Sequence, residues 1–217
     1  MLITAIPQFS FSQEDNDMDI QPFSNFLIKT NFRIPFTRSN EFMKEVSSGV
    51  ADVQGSFNYS FYKNVYVGVG YRYAYFKLSE TKLNSAAQNQ FKGIIEQQGF
   101  YGELSYFFDL YENFSIEANF QVGQEITSGN SALCIANGGK TSERGVFYSP
   151  NLNFYLKTEE VFSFYFSMGY NFSTTRFTPE TVCAESFPDF DEIDYQGNYR
   201  HLNIGFGIGI TLIKPKP

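Results

Sequence analysis

Few residues in this chain have the chemistry for a site. His201 is the only histidine, so any imidazole general base must be this one. It opens the run His201-Leu202-Asn203, which places no serine two residues on, and a nucleophile would have to come from a distant loop. Cys134 and Cys183 are the only cysteines; both fall in polar segments and are expected to form a disulfide. The segment around residues 187–199 gathers Asp189, Asp191, Glu192 and Asp194 with Phe187, Phe190, Tyr195 and Tyr199. Clustered carboxylates are what a hard cation needs, but the spacing does not fit a calcium loop, and the interleaved aromatics suit a protein-binding surface better. Lys29, Arg33, Asp52, Arg72, Glu103 and Glu117 form the last group, three cations and three anions set one by one into otherwise apolar or small-residue stretches. No cofactor or metal motif is present, and the residues do not read as those of an enzyme.

Placing these groups requires the elements that carry them. The 217 residues include 26 Phe, 15 Tyr and no Trp, and charged residues are only 18%. The net charge of −7 and the lack of a basic stripe argue against a nucleic-acid partner. No run approaches the about 18 consecutive apolar residues of a membrane-spanning helix. Mean hydropathy is −0.27, which a barrel tolerates because only alternate residues of its strands meet lipid.

Period-two alternation runs through nearly the whole chain and defines eight strands. In the third, residues 65–78, Val65, Val67, Val69, Tyr71, Tyr73 and Tyr75 form one face; Tyr66, Gly68, Gly70, Arg72 and Ala74 form the other. The eighth, residues 201–213, sets Leu202, Ile204, Phe206, Ile208 and Ile210 against Asn203, Gly205, Gly207 and Gly209. Short turns at 63–64, 110–113 and 158–160 alternate with long polar segments at 37–49, 79–97, 127–144 and 177–199. All short turns therefore fall at one end with both termini, and the long segments at the other. The fold class is all-β, an eight-stranded antiparallel up-and-down transmembrane barrel over residues 22–213. Residues 1–12 read as a truncated signal peptide, 13–21 as an acidic linker and 214–217 as a tail.

The apolar face must point outward. An eight-stranded barrel encloses room for side chains or one small ligand, not for five or six Phe and Tyr per strand. By parity the six charged residues then line the lumen, where charges persist only when paired. Counting heights from the turns pairs Arg72 with Glu103. Pro150 lacks a ladder donor and is expected near a strand end or a bulge. His201 is placed at the outer rim.

The strand rhythm, the turn-bearing runs "FYKNVYVGVGY" and "LYENFSIEANF" and the closing "NIGFGIGITLI" resemble the small outer-membrane β-barrels that include OmpX and the OmpA transmembrane domain. The resemblance implies a bacterial outer-membrane location with periplasmic termini and outer-membrane lipid around the wall. It also implies action through the loops at 37–49, 79–97, 127–144 and 177–199, as a binding or adhesion protein or as a small subunit of a larger assembly. An outer-leaflet lipid-modifying enzyme and a small-solute pore are the alternatives.

Overall fold

Alternation of bulky apolar with small or polar residues makes each strand two-faced, and the computed structural model closes eight such strands on themselves. It describes residues 25–39, 41–78, 93–131, 134, 141–158, 161–183 and 197–212. The strands are β1 (Phe26–Thr37), β2 (Ser47–Tyr62), β3 (Val65–Leu78), β4 (Gly93–Tyr111), β5 (Phe114–Ser131), β6 (Thr141–Lys157), β7 (Phe162–Arg176) and β8 (Asn198–Thr211). They pair antiparallel in chain order. β1 closes the barrel by pairing with both β2 and β8, so that Thr30 lies opposite Gly55 on one side and Ile208 on the other. Closure leaves no open sheet edge, the condition for a β structure in hydrocarbon.

The wall is inside-out for a water-soluble protein. Val69 is 66% exposed, Phe100 73% and Phe206 70%, while Arg33 and Arg72 are each 1% exposed. The outward positions form a continuous apolar belt, and the charges are inside it.

Tyr62 pairs with Val65 across the two-residue turn Lys63-Asn64, where Lys63 takes φ 42°, and Tyr111 pairs with Phe114 across Glu112-Asn113. At the opposite end the strands run further than polarity suggests. Residues 93–97, 127–131 and 141–144 read as loop but continue the ladders of β4, β5 and β6. β4 has 19 residues, well beyond the about 9–11 that cross the hydrocarbon. Its outward side turns from Phe100 to Gln98 and Glu96 as it leaves the belt, while Ile95 and Gln97 stay buried. The 37–49 segment holds a short helix, α1 (Glu41–Val46), and the start of β2. Residues 1–24, 79–92, 184–196 and 213–217 lie outside the described residues.

Pro150 sits in the middle of β6, contrary to the expected strand end or bulge. It is paired with Phe120 of β5. Toward β7 the ladder skips from Tyr148↔Phe172 to Asn151↔Gly169 without a register shift. The strand keeps its line because the missing donor interrupts only the β7 side.

Candidate functional site

The lumen is filled in three layers. At the end of the short turns, Leu27, Tyr66, Phe107, Tyr155 and Tyr165 form a buried floor, with the Tyr155 and Tyr165 rings 4.6 Å apart and those of Tyr66 and Phe107 5.1 Å apart. Glycines make room for the large rings. A Cβ at Gly70 would fall 2.4 Å from Tyr101 Cζ, and one at Gly207 would fall 2.2 Å from Tyr165 Cζ.

Above the floor lie two charge clusters. In the lower one, Lys29 Nζ donates to Glu117 Oε1 at 2.6 Å and lies 3.1 Å from Glu103 Oε1. Asn153 Nδ2 and Tyr155 OH donate to Glu117 Oε2 at 2.7 and 2.8 Å, and Asn119 Nδ2 donates to Glu103 Oε2 at 2.6 Å. In the upper one, Asp52 Oδ2 accepts from Arg33 Nη2 at 3.2 Å and from Arg72 Nε at 3.1 Å. Arg33 Nη1 donates to Asn151 Oδ1 at 2.7 Å. Arg72 Nη1 is 3.5 Å from Glu125 Oε2, its Nη2 is 2.5 Å from His201 Nε2, and it stacks 5.2 Å from the Phe147 ring. Glu125 Oε1 accepts from Ser173 Oγ and, at 3.3 Å, from Thr175 Oγ1. The upper cluster thus balances two arginines with two carboxylates.

The mouth above this cluster is capped. Met43 and Val46 of α1 are fully buried, as are Phe76, Leu78 and Ile95, and the Phe177 and Tyr199 rings meet edge to face at 6.1 Å. A disulfide joins Cys134, beyond β5, to Cys183, beyond a 3-10 turn at Pro179–Val182. Thr141 Oγ1 ties the base of β6 to that turn through the Thr181 carbonyl at 2.5 Å. Among the described residues, a cavity of about 10 Å³ lies in the lumen between residues that include Lys29, Gln54 and Tyr165, room for about one water.

All six charged residues singled out by parity face the lumen, but the Arg72–Glu103 pair does not form. Arg72 lies opposite Gly99 and Glu103 opposite Gly68, four residues apart along β3. Val65, at the foot of β3, pairs with Tyr106 rather than with the foot of β4. This stagger of a closed barrel offsets heights counted from separate turns. Each residue takes another partner: Arg72 has Asp52 and Glu125, and Glu103 has Lys29. Glu125, absent from the sequence candidates, continues the alternation Glu117, Asn119, Gln121, Gly123 by one step.

His201 is not at an open rim. It is 1% exposed beneath the cap, edge-on to Phe76 at 5.4 Å, and its hydrogen-bonding partner among the described residues is Arg72. Tyr199, counted with a partner-binding loop, is 1% exposed and belongs to the cap. Phe187, Asp189, Phe190, Asp191, Glu192, Asp194 and Tyr195 lie outside the described residues.

No protein-family model and no curated protein matches the chain. Among solved structures it is similar to Neisserial surface protein A, with TM-score 0.56 and 11% identity over 87% of this chain and 98% of that one. It is also similar to the attachment invasion locus protein Ail of Yersinia pestis, with TM-score 0.46 and 10% identity over 86% of this chain and 99% of that one. OprG of Pseudomonas aeruginosa gives TM-score 0.46 and 11% identity over 88% and 99%. The likeness to Neisserial surface protein A is one of fold: the chain has the architecture of the eight-stranded outer-membrane β-barrels.

Proposed function

We propose that this protein is an integral barrel of the bacterial outer membrane, with periplasmic termini, that acts through its external end by binding another protein or a surface. The observation that carries the reading is the filled lumen. Among the described residues, an aromatic floor, two charge clusters and an apolar cap fill the lumen. The elaborated part of the molecule is instead the end remote from the short turns. There β4, β5 and β6 outrun the apolar belt, and a disulfide and a short helix brace the mouth. Such bracing suits a surface held in a defined shape for recognition. A lipid-modifying enzyme has less support, because the one imidazole is buried and occupied by Arg72.

The test has two arms. Purified protein in planar bilayers is expected to give no single-channel steps; regular steps would overturn the closed-lumen reading. Cross-linking in intact cells, followed by detergent extraction, is expected to trap a partner that is lost when residues 184–196 are replaced by a glycine-serine linker. A partner retained without that segment would move the binding surface elsewhere.

A further inference from the structure

We infer that the lower charge cluster holds a monovalent alkali cation, stripped of its water, in the lumen cavity beside Lys29. The inference rests on the geometry of the lumen and does not depend on what the external end binds.

Charge is the first observation. Among the described residues, the buried cations are Lys29, Arg33 and Arg72, and the buried carboxylates are Asp52, Glu103, Glu117 and Glu125. His201 adds no charge, because its Nε2 accepts from Arg72, whose guanidinium can only donate. Three positive charges against four negative leave one negative charge in excess. The upper cluster is balanced, so the excess lies in the lower one. There Lys29 alone faces Glu103 at 3.1 Å and Glu117 at 2.6 Å. An uncompensated charge in a closed core is costly and calls for a counter-ion.

The second observation is a set of unused polar atoms around one space. The cavity of about 10 Å³ is bordered by Asn31, Gln54, Glu103, Gln121 and Asn153 as well as Lys29, and all six are more than nine-tenths buried. Asn31 Oδ1, Gln121 Oε1 and Asn153 Oδ1 have no hydrogen-bond partner among the described residues. Glu103 Oε1 meets Lys29 through charge, without a hydrogen bond. Chemistry fixes the direction of two of these amides. A carboxylate only accepts, so Asn153 turns Nδ2 to Glu117 at 2.7 Å and Gln121 turns Nε2 to Glu103 at 3.3 Å, which frees their oxygens. Asn31 donates its Nδ2 to Ser167 Oγ at 3.1 Å. Oxygen-bearing side chains of β1, β4, β5 and β6 thus border room for about one water-sized particle. A water offers these four oxygens two donors. A cation engages all four and also supplies the missing charge. Hard cations take oxygen ligands, and carbonyl oxygens can replace a hydration shell. A single excess charge selects a monovalent ion, since a divalent one would reverse the imbalance beside the Lys29 ammonium. The strands that supply these oxygens come together only when the barrel closes, so the ion is taken up on folding and held between the aromatic floor and the cap.

The test refolds the full chain into neutral detergent in sodium chloride and, in parallel, in the chloride of N-methylglucamine, a cation too large for the cavity, at equal ionic strength. After gel filtration into sodium-free buffer, elemental analysis is expected to find about one sodium ion per chain in the first preparation. Its urea midpoint is expected to be the higher, with the folding constant rising about tenfold for each tenfold rise in sodium once the site is saturated. Glu103→Gln removes the excess charge and is expected to lose both the ion and the sodium dependence. Lys157→Gln, whose partner Asp109 lies at the foot of the barrel, is expected to keep both. No retained ion, or equal midpoints in the two chlorides, overturns the inference. An ion kept equally by Glu103→Gln places it elsewhere, and a divalent ion in its stead contradicts the charge count; either result overturns the assignment. Stability that rises as pH falls, identically in both chlorides, makes a proton the balancing charge and also overturns it. Should Glu103→Gln not fold, the two preparations of the unaltered chain decide the question by themselves. Heat-modifiable gel migration of each sample is the separate check on the barrel, so a correctly migrating barrel without sodium sinks this inference alone.

Discussion

Replacing Asp52 by Asn should be among the most damaging isosteric changes in the lumen. The carboxylate is fully buried, and its Oδ2 is shared by Arg33 at 3.2 Å and Arg72 at 3.1 Å. With Asp52 ionised, the upper cluster sets Arg33 and Arg72 against Asp52 and Glu125. With Asn it keeps two cations and one anion in a space closed by protein above and below. Removing one partner of a buried ion pair costs about 3–5 kcal/mol, mainly because the other charge remains uncompensated. Lys157 is the comparator: its side chain is 24% exposed and its Nζ is 3.0 Å from Asp109 Oδ1, so Lys157→Gln should cost about 1 kcal/mol or less. Urea unfolding in lipid vesicles, followed by the fraction of heat-modifiable band, measures both. The double variant Asp52→Asn/Arg72→Gln should recover part of the loss, because it removes the stranded cation. An Asp52→Asn cost below about 1 kcal/mol, or strict additivity in the double variant, would refute the claim that Asp52 neutralises the two arginines.

Other expectations follow from the wall and the cap. Val69→Arg places a cation on the lipid face and should cost about 2–4 kcal/mol by the same unfolding assay if the site is at mid-bilayer. Gly207→Ala drives a methyl group into Tyr165 and the Thr30 carbonyl and should cost about 1–3 kcal/mol. Gly102→Ala should be nearly neutral, since its new Cβ would meet nothing closer than 3.9 Å. Reducing the Cys134–Cys183 bond should lower stability by less than the about 4 kcal/mol of the chain-entropy value, because the barrel already holds the strand ends. Limited proteolysis should then cut first near the cap and leave the barrel intact.

Much of this architecture is legible in the residues. Alternation in "VYVGVGYRYAYFKL" gives both faces of β3 and the bounds Val65–Leu78 found in the structure. The same alternation assigns Lys29, Arg33, Asp52, Arg72, Glu103 and Glu117 to the lumen. Parity ignores register, however, and register decides who meets whom. The β3–β4 stagger puts Arg72 about 13 Å along the strand from the residue that faces Glu103, at about 3.3 Å per residue. Strand ends are illegible for another reason. Glu96 and Gln97 are polar on both faces because β4 has run past the apolar belt there, and composition alone reads them as loop. The cap is hidden too, since Met43, Phe177 and Tyr199 come together only through the folding back of α1 and the 3-10 turn. His201 and Tyr199 read as rim residues because nothing in their neighbourhood announces that cover.

The central claim is that the apolar face meets lipid and the polar face lies inside. The chain has no tryptophan, so single-Trp reporters are clean. Phe206→Trp on the outer face and Tyr66→Trp in the lumen floor can be compared in vesicles of brominated and ordinary phospholipid. Strong quenching of the Trp at 206 by brominated chains, with the Trp at 66 unaffected, is the predicted result. Equal quenching of the two, or quenching only at 66, would contradict the inside-out barrel.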